Sequence, residues 1–187
     1  MQKVLVTGGC GFIGSNFVRM LLSETEFSVV NLDLLTYAGN TANLKDVEKN
    51  PRYSFVKGDI ADPKTAAKAM RGVDTVFNFA AESHVDNSIA DASEFVRTNV
   101  MGTKNMAQCA IAAGISRMVQ IGTDEVYGSV EKGSSKETDR LEPRNPYSAT
   151  KAASDLLALS YATTFGLDLI VTRSSNNYGP YQYPEKA

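Results

Sequence analysis

Short apolar segments alternate with longer amphipathic ones along this chain. The apolar segments predict strands at Lys3–Thr7, Ser28–Asp33, Ser54–Lys57, Thr75–Asn78, Arg117–Ile121 and Asp168–Thr172. Apolar positions at helical spacing between them predict helices near Phe12–Leu22, Asp62–Met70, Ala92–Ala113 and Pro146–Phe165. Because strands alternate with helices, we expect an α/β protein in which helices cover both faces of a doubly wound parallel sheet.

Residues with known preferences for helix ends support these boundaries. Asn145 and Pro146 suit the N-cap and first position of the last helix, and Pro63 suits the start of the second. Gly114 and Gly166 lie where two helices should stop, because glycine readily adopts the left-handed backbone that follows a helix.

Composition and charge narrow the class of protein. The chain has 187 residues, 43% hydrophobic and 21% charged, enough for one well-buried domain spanning residues 1–187. A net charge of -2 without a basic run gives no indication of nucleic acid or an anionic membrane as partner. Cys10 and Cys109 are far apart and His84 is the only histidine, so we expect no disulfide framework and no metal site. Without an apolar stretch long enough for a signal peptide or membrane span, the expected location is cytoplasmic.

A glycine pattern, G-x-G-x-x-G, ends at Gly14 directly after the first strand. In a Rossmann sheet such glycines allow a tight turn and close approach of a pyrophosphate, which the N–H groups at the helix start bind. Asp33 ends the second strand nineteen residues later, where a carboxylate binds both ribose hydroxyls of NAD and disfavours the 2′-phosphate of NADP. Asp59, after the third strand, is expected near the adenine. A structural turn with a chance acid is the alternative.

Tyr147 and Lys151 are four residues apart, so on a helix they share one face. The phenol can then act as a base. Its pKa, ~10 when free, must fall by roughly three units for this at neutral pH. We expect the ammonium, a cationic cofactor ring and the helix dipole to lower it.

An acidic pair, Asp124 and Glu125, follows Thr123 at the end of the fifth predicted strand. Two carboxylates beside a tyrosine base supply the acid and the base that an elimination requires. A solvated turn is the alternative.

With these motifs, the chain resembles the extended short-chain dehydrogenase/reductases, and among them the family of dTDP-glucose 4,6-dehydratases. The glycine loop and Tyr-x-x-x-Lys are shared by the whole superfamily, whereas the acidic pair has a much narrower distribution within it. The matching segments, which extend over essentially the whole chain, are Gly8–Gly14, Asp33–Asn40, Gly58–Ile60, Ala80–Asp86, Thr98–Thr103, Thr123–Gly128, Tyr147–Lys151 and Asn176–Tyr181.

The resemblance implies an enzyme that removes water from a nucleotide-diphosphate glucose and yields a 4-keto-6-deoxy sugar. Tyr147, with Lys151 and Thr123 beside it, would take the proton of the sugar 4-hydroxyl as hydride leaves C4 for NAD. Glu125 would then remove the C5 proton, and Asp124 would protonate the departing 6-hydroxyl before hydride returns to C6.

The resemblance also implies contacts with cofactor and substrate. Positions that match cofactor contacts are Gly8, Gly11, Phe12, Ile13, Gly14, Asp33, Leu34, Leu35, Thr36, Asp59, Ile60, Phe79, Ala80, Ala81, Ser83, Thr98, Tyr147, Lys151 and Asn177. Positions that match substrate contacts are Ser83, Thr123 and Asn176.

Members of this family continue into a smaller substrate-binding domain, which we expect to be absent from these 187 residues. The chain alone is then expected to bind NAD but to turn over dTDP-glucose negligibly, and the family resemblance implies a homodimer formed through long helices. Two other functions stay open: a related epimerase or decarboxylase, which needs Tyr147 and Lys151 but not the acidic pair, and a non-catalytic NAD-binding module.

Overall fold

The computed structural model describes residues 2–183, and its centre is a sheet of parallel strands. Within that range the strands are β1 (Lys3–Thr7), β2 (Ser28–Asp33), β3 (Tyr53–Lys57), β4 (Thr75–Asn78), β5 (Arg117–Thr123) and β6 (Leu169–Ser174). They are hydrogen-bonded in the order β3-β2-β1-β4-β5-β6. The predicted α/β architecture is confirmed, and the order is that of a doubly wound Rossmann sheet.

Helices pack against both faces of this sheet. They are α1 (Phe12–Glu24), α2 (Pro63–Ala69), α3 (Val85–Ala90), α4 (Ser93–Phe95), α5 (Thr103–Ala113) and α6 (Pro146–Phe165). A π-helical stretch, Val96–Gly102, joins α4 to α5, and short 3-10 turns occur at Thr41–Leu44 and Asp124–Tyr127.

The central strands are apolar on both sides because helices cover both faces. In β1, Val4 and Val6 belong to a hydrophobic cluster formed with α1, whereas Leu5 belongs to the cluster beneath α2 and α5. Alternate residues of a strand point to opposite faces, so one strand supplies both clusters. The outer strands β3 and β6 instead consist of partly buried and exposed residues.

The predicted helix ends are confirmed. Asn145 caps α6: its side chain accepts the N–H of Ser148, and the Ser148 hydroxyl accepts the N–H of Asn145. Pro63 opens α2 at its first turn. Gly114 and Gly166 end α5 and α6 with left-handed backbones, at φ 66° and 70°.

Two parts of the helix prediction are wrong. Ala92–Ala113 does not form one α-helix, because the π-helical stretch Val96–Gly102 separates α4 from α5. A π-helical turn changes the hydrogen-bond spacing only locally, so the apolar pattern does not reveal it. Helix α3 (Val85–Ala90) was not predicted, because so short a helix holds too few apolar positions to show a period.

The cysteines and the histidine have structural surroundings. Cys10 and Cys109 are free thiols. Burial, followed by the charge of Asp33, raises the pKa of Cys10 to about 11, which suppresses its thiolate. The His84 ring accepts the N–H of Asn87 at the start of α3. Within residues 2–183 no cluster of three His, Cys, Asp or Glu side chains could hold a metal ion, and no helix is long and apolar enough to cross a membrane.

Candidate active site

A cleft of about 660 Å³ opens at the carboxyl ends of the strands. It lies where the strand order reverses between β1 and β4, the position at which doubly wound sheets bind their ligands. The predicted cofactor residues that line it are Gly8, Gly11, Phe12, Ile13, Gly14, Asp33, Leu34, Thr36, Asp59, Ile60, Phe79, Ala80, Ala81, Ser83, Thr98, Tyr147, Lys151 and Asn177. The predicted substrate residues Ser83, Thr123 and Asn176 line it too.

The glycine loop forms a backbone cradle on one wall of the cleft. Gly8 has a left-handed backbone, φ 66°, and a Cβ there would lie 2.8 Å from the backbone N and Cα of Ala80. At Gly14, a Cβ would overlap the carbonyl oxygen of Gly8. Gly11 is the N-cap of α1 and has no side chain to occupy the first N–H groups, so these remain available to a phosphate.

Asp33 lies at the adjoining end of β2, and its carboxylate is held by two backbone donors. The N–H of Cys10 donates to Oδ2 and the N–H of Leu35 donates to Oδ1, both at 2.8 Å. An ionised carboxylate accepts about four hydrogen bonds, so roughly two remain for ribose hydroxyls. Burial raises the pKa of Asp33, and the two backbone bonds oppose that rise.

Of two predicted cofactor residues, Asp59 lines the cleft and Leu35 does not. Leu35 is not among the residues that line the cleft: its side chain packs into the α1 cluster, and its left-handed backbone, φ 60°, turns the N–H toward Asp33. Asp59 lines the cleft, but its carboxylate is already engaged by Arg97 and by the N–H of Ala61.

Tyr147 and Lys151 share the face of α6 that points into the cleft, as predicted. Tyr147 is 8% exposed, its backbone N–H donates to the Ser88 hydroxyl, and Thr123 hydrogen-bonds its phenol. The Lys151 ammonium is buried and donates to the carbonyl of Ile121 in β5 at 2.5 Å. The pair is therefore fixed in place by the ends of neighbouring elements.

The protein's own groups set the pKa values of this pair. Burial, followed by the Glu125 carboxylate, raises the pKa of Tyr147 to about 12, and the hydrogen bond from Thr123 opposes the rise. Burial lowers the pKa of Lys151 to about 8 against the charge of Asp155, which raises it. Desolvation therefore disfavours both charged forms in the protein alone, whereas the predicted fall in the phenol pKa also includes the charge of the cofactor ring.

The acidic pair lies in the 3-10 turn Asp124–Tyr127, directly after β5. Thr123 caps this turn: its hydroxyl oxygen accepts the N–H of Glu125 at 3.3 Å. Glu125 lines both the cleft, together with Tyr147, and a neighbouring cavity of about 910 Å³. Asp124 is exposed and lines the neighbouring cavity. Consecutive residues of a 3-10 turn point about 120° apart. The two side chains share the neighbouring cavity, but only Glu125 also lines the cleft with Tyr147.

Asn99, in the π-helical stretch Val96–Gly102, is a site residue that the sequence did not single out. Its side-chain oxygen accepts the N–H of Glu82 at 2.9 Å. Its side-chain nitrogen donates to the carbonyl of Glu82 and to the hydroxyl of Thr150 in α6. It thereby links the loop after β4 to helix α6. A π-helical stretch beside a functional site is the signal for such a residue, but it is visible only in the structure.

A Tyr–Lys pair on one face of α6, beside a glycine-lined cleft in a doubly wound sheet, defines the short-chain dehydrogenase/reductase class. Comparison with known sequences then gives the family. The chain belongs to the GDP-mannose 4,6 dehydratase family, which it matches over residues 5–187.

Relatives and solved structures narrow the likeness further. The chain is 54% identical to the low-salt glycan biosynthesis protein Agl12 of Haloferax volcanii, aligning 99% of this chain with 60% of that protein. It is also 54% identical to the dTDP-glucose 4,6-dehydratase of Streptomyces griseus, with shares of 98% and 56%. A crystal structure of DesIV, a dTDP-glucose 4,6-dehydratase from Streptomyces venezuelae with NAD and dTDP bound, superposes with a TM-score of 0.96 at 56% identity, over 98% of this chain and 59% of that one. The chain thus spans 56 to 60% of the length of these proteins.

Proposed function

We propose that this chain carries the cofactor-binding and catalytic part of an NAD-dependent 4,6-dehydratase of a nucleotide-diphosphate glucose, with dTDP-glucose as the substrate. The observation that carries the proposal is the placing of Glu125 in the same cleft as Tyr147, with Asp124 next to it on the turn. An epimerase needs the tyrosine but no acid and base for elimination. The names of the S. griseus and S. venezuelae relatives support dTDP-glucose.

The cleft fits NAD in shape and in chemistry. The backbone cradle at Gly8 and Gly14 leaves room for a pyrophosphate, and Asp33 retains acceptor sites for two ribose hydroxyls. A 2′-phosphate at the same place would face a buried carboxylate, so NAD is favoured over NADP. When bound, NAD supplies the acceptor and later the donor of hydride, together with a positive ring charge that favours the phenolate of Tyr147.

Oxidation at C4 requires that the 4-hydroxyl lose its proton. Tyr147 is the base in this proposal, and Thr123, hydrogen-bonded to its phenol, holds the same hydroxyl. The pKa of Lys151 is about 8, so its ammonium is mostly protonated at neutral pH and favours the phenolate. Ser83 and Asn176 line the cleft and are proposed to hold the substrate.

Elimination across C5 and C6 requires a second base and an acid. Once C4 is a ketone, the C5 proton becomes acidic, and Glu125 takes it. Asp124 gives a proton to the departing 6-hydroxyl. Asp124 is exposed and lines the neighbouring cavity beside Glu125, which supports a shared role of the two carboxylates.

We further propose a homodimer in the cytoplasm. Large apolar side chains are exposed on the stretch before α5 and on α6, namely Val96, Met101, Leu156, Leu159 and Phe165. Such side chains support pairing through these helices. The two free thiols agree with a reducing compartment.

The experiment uses the intact protein that contains this chain, with dTDP-glucose as substrate. Changing Glu125→Gln should leave C4 oxidation intact and block removal of the C5 proton, so that NADH absorbance at equilibrium rises while product formation falls by about 10²–10⁴-fold. The exposed Glu131→Gln is the matched control and should behave as wild type. Product formed by Glu125→Gln at the normal rate, with solvent deuterium still entering C5, would contradict the proposal.

A further inference from the structure

A buried ion pair lies directly behind the acid–base turn Asp124–Tyr127. Arg173 of β6 donates from Nε to Oδ2 of Asp155 in α6 at 2.8 Å. The Asp155 side chain is 0% exposed and that of Arg173 is 13% exposed. A salt bridge so deeply buried gains little net stability, because the loss of hydration offsets the attraction of the two charges.

The same guanidinium reaches the turn itself. Arg173 donates from a second nitrogen to the Tyr127 hydroxyl at 2.7 Å, and its central carbon lies 5.1 Å from the centre of the Tyr127 ring. Tyr127 is the last residue of the turn, two positions after Glu125. One side chain therefore links β6, α6 and the segment that carries both proposed elimination residues.

The surrounding backbone is built around this contact. Asp155 follows Lys151 by one helical turn, and its second oxygen, Oδ1, has no hydrogen-bond partner among the described residues. Gly122 of β5 lies against both β6 and Asp155: a Cβ there would overlap the carbonyl oxygen of Thr172 and would lie 3.1 Å and 3.2 Å from the two carboxylate oxygens. An apolar side chain could fill this space without burying a charge or leaving an acceptor without a partner. The ion pair therefore points to a role other than packing.

We infer that Arg173 is a positioning residue for elimination, holding Tyr127 so that Glu125 and Asp124 keep a fixed direction, while Asp155 fixes the guanidinium. Only arginine suits this position, because its planar group can donate in two directions at once. A lysine can neutralise Asp155 but cannot bridge both partners from fixed geometry. The kinetic part of this inference rests on the proposed function, whereas the positioning of the turn by Arg173 does not.

The test compares Tyr127→Phe and Arg173→Lys with wild type in the intact protein. Tyr127→Phe keeps the ring and removes only the acceptor, and Arg173→Lys keeps the charge. Arg117→Lys is the matched control, because Arg117 forms an exposed pair with Asp168 at the opposite end of β5.

Amide hydrogen exchange, measured by NMR, tests how firmly the turn Asp124–Tyr127 is held and requires no substrate. The N–H of Gly128 bonds to the carbonyl of Glu125, and the N–H of Glu142 bonds to the carbonyl of Val126. We expect both amides to exchange about tenfold faster in Tyr127→Phe and in Arg173→Lys, because each variant loses one hydrogen bond to a charged group. The Met118 amide, bonded to Asp168, should be unchanged in these two variants. Unchanged exchange at the turn, or faster exchange throughout the sheet, would overturn the inference.

Kinetics with dTDP-glucose give the second reading. Both variants should form NADH at the wild-type rate and bind NAD within about twofold of wild type, while product formation falls about tenfold. Equal losses in oxidation and elimination would mean a merely structural role and would overturn the inference. If wild type itself forms neither NADH nor product, the proposed function fails, and the exchange measurement still decides whether Arg173 positions the turn.

Discussion

The two halves of the sheet present different chemistry to one cleft. On the side of β1, β2 and β3, the wall includes backbone N–H groups of the glycine loop and two carboxylates, Asp33 and Asp59. On the side of β4, β5 and β6, it consists of side chains that titrate, with Tyr147 and Lys151 buried and Glu125 half-buried beside them. Binding of a nucleotide depends on shape and fixed dipoles, whereas proton transfer depends on charges that burial has shifted. The two tasks are therefore separable by mutation.

A buried row of polar side chains joins the halves beneath the cleft. The Thr7 hydroxyl donates to the side-chain oxygen of Asn78 at 2.6 Å and accepts the N–H of Ala80. The Asn78 side-chain nitrogen then donates to the Gln120 side chain at 2.7 Å. This row links β1, β4 and β5 through buried side chains and so fixes the two halves relative to each other.

The largest expected effect separates chemistry from binding. Tyr147→Phe removes the proposed base of the first step and should lower C4 oxidation, measured as NADH formation, by about 10²–10⁴-fold. NAD affinity should stay within about threefold of wild type, because the cradle lies in the other half. Tyr161→Phe, on the same helix, is the control. If a Tyr147→Phe variant still reduces NAD at the normal rate, the two halves of the sheet do not divide binding and chemistry between them.

A mutation in the half of the sheet formed by β1, β2 and β3 should lower both the stability of the protein and its affinity for NAD. Gly8→Ala places a Cβ against the backbone of Ala80 and forces a left-handed alanine, which alone costs roughly 1–2 kcal/mol. Gly72→Ala is the matched control, since Gly72 has a similar φ of 67° with nothing near its Cβ. Urea unfolding should show Gly8→Ala less stable than Gly72→Ala by about 1–3 kcal/mol, with weaker NAD binding as well. Equal losses of stability in the two variants would show that the close approach of Gly8 to Ala80 contributes nothing.

Cofactor choice gives a smaller effect in the same half. Wild type should bind NAD and not NADP, because the buried Asp33 carboxylate would face the 2′-phosphate. Asp33→Ala should weaken NAD binding about tenfold and narrow the gap between the two cofactors, as measured by titration calorimetry. Asp46→Ala removes an exposed carboxylate near α1 and should change neither affinity. Equal affinity of wild type for both cofactors would refute the assignment.

The smallest effect concerns pH in the catalytic half. Lys151 carries its charge below its pKa of about 8, so whatever depends on that charge is present at lower pH and lost as pH rises through 8. Asp155 raises this pKa, so Asp155→Asn should move the titration midpoint of the Lys151 ¹³Cε resonance to lower pH. The alkaline fall in C4 oxidation should move the same way. An unchanged midpoint would mean that Asp155 does not act on Lys151.

The sequence predicted one half of the site better than the other, for a physical reason. The glycine loop and Asp33 belong to short local patterns whose spacing follows from the sheet topology, and they line the cleft as expected. The link from Tyr127 through Arg173 to Asp155 joins three distant segments through buried charge, and no local pattern reports it. The outward direction of Asp124 likewise depends on the 3-10 turn, which residue order alone does not reveal.

The place of Arg173 on β6 also sets an order of events during synthesis. A chain is made from its N-terminus at roughly 5–20 residues per second. The glycine loop and Asp33 belong to the first two strands, so the parts of the nucleotide site they supply are made early. Tyr127 is made with its turn, but the arginine that binds it follows 46 residues later, roughly 2–9 seconds at that rate. The residues proposed to bind the nucleotide are therefore made before the arginine that holds the proposed elimination residues in place.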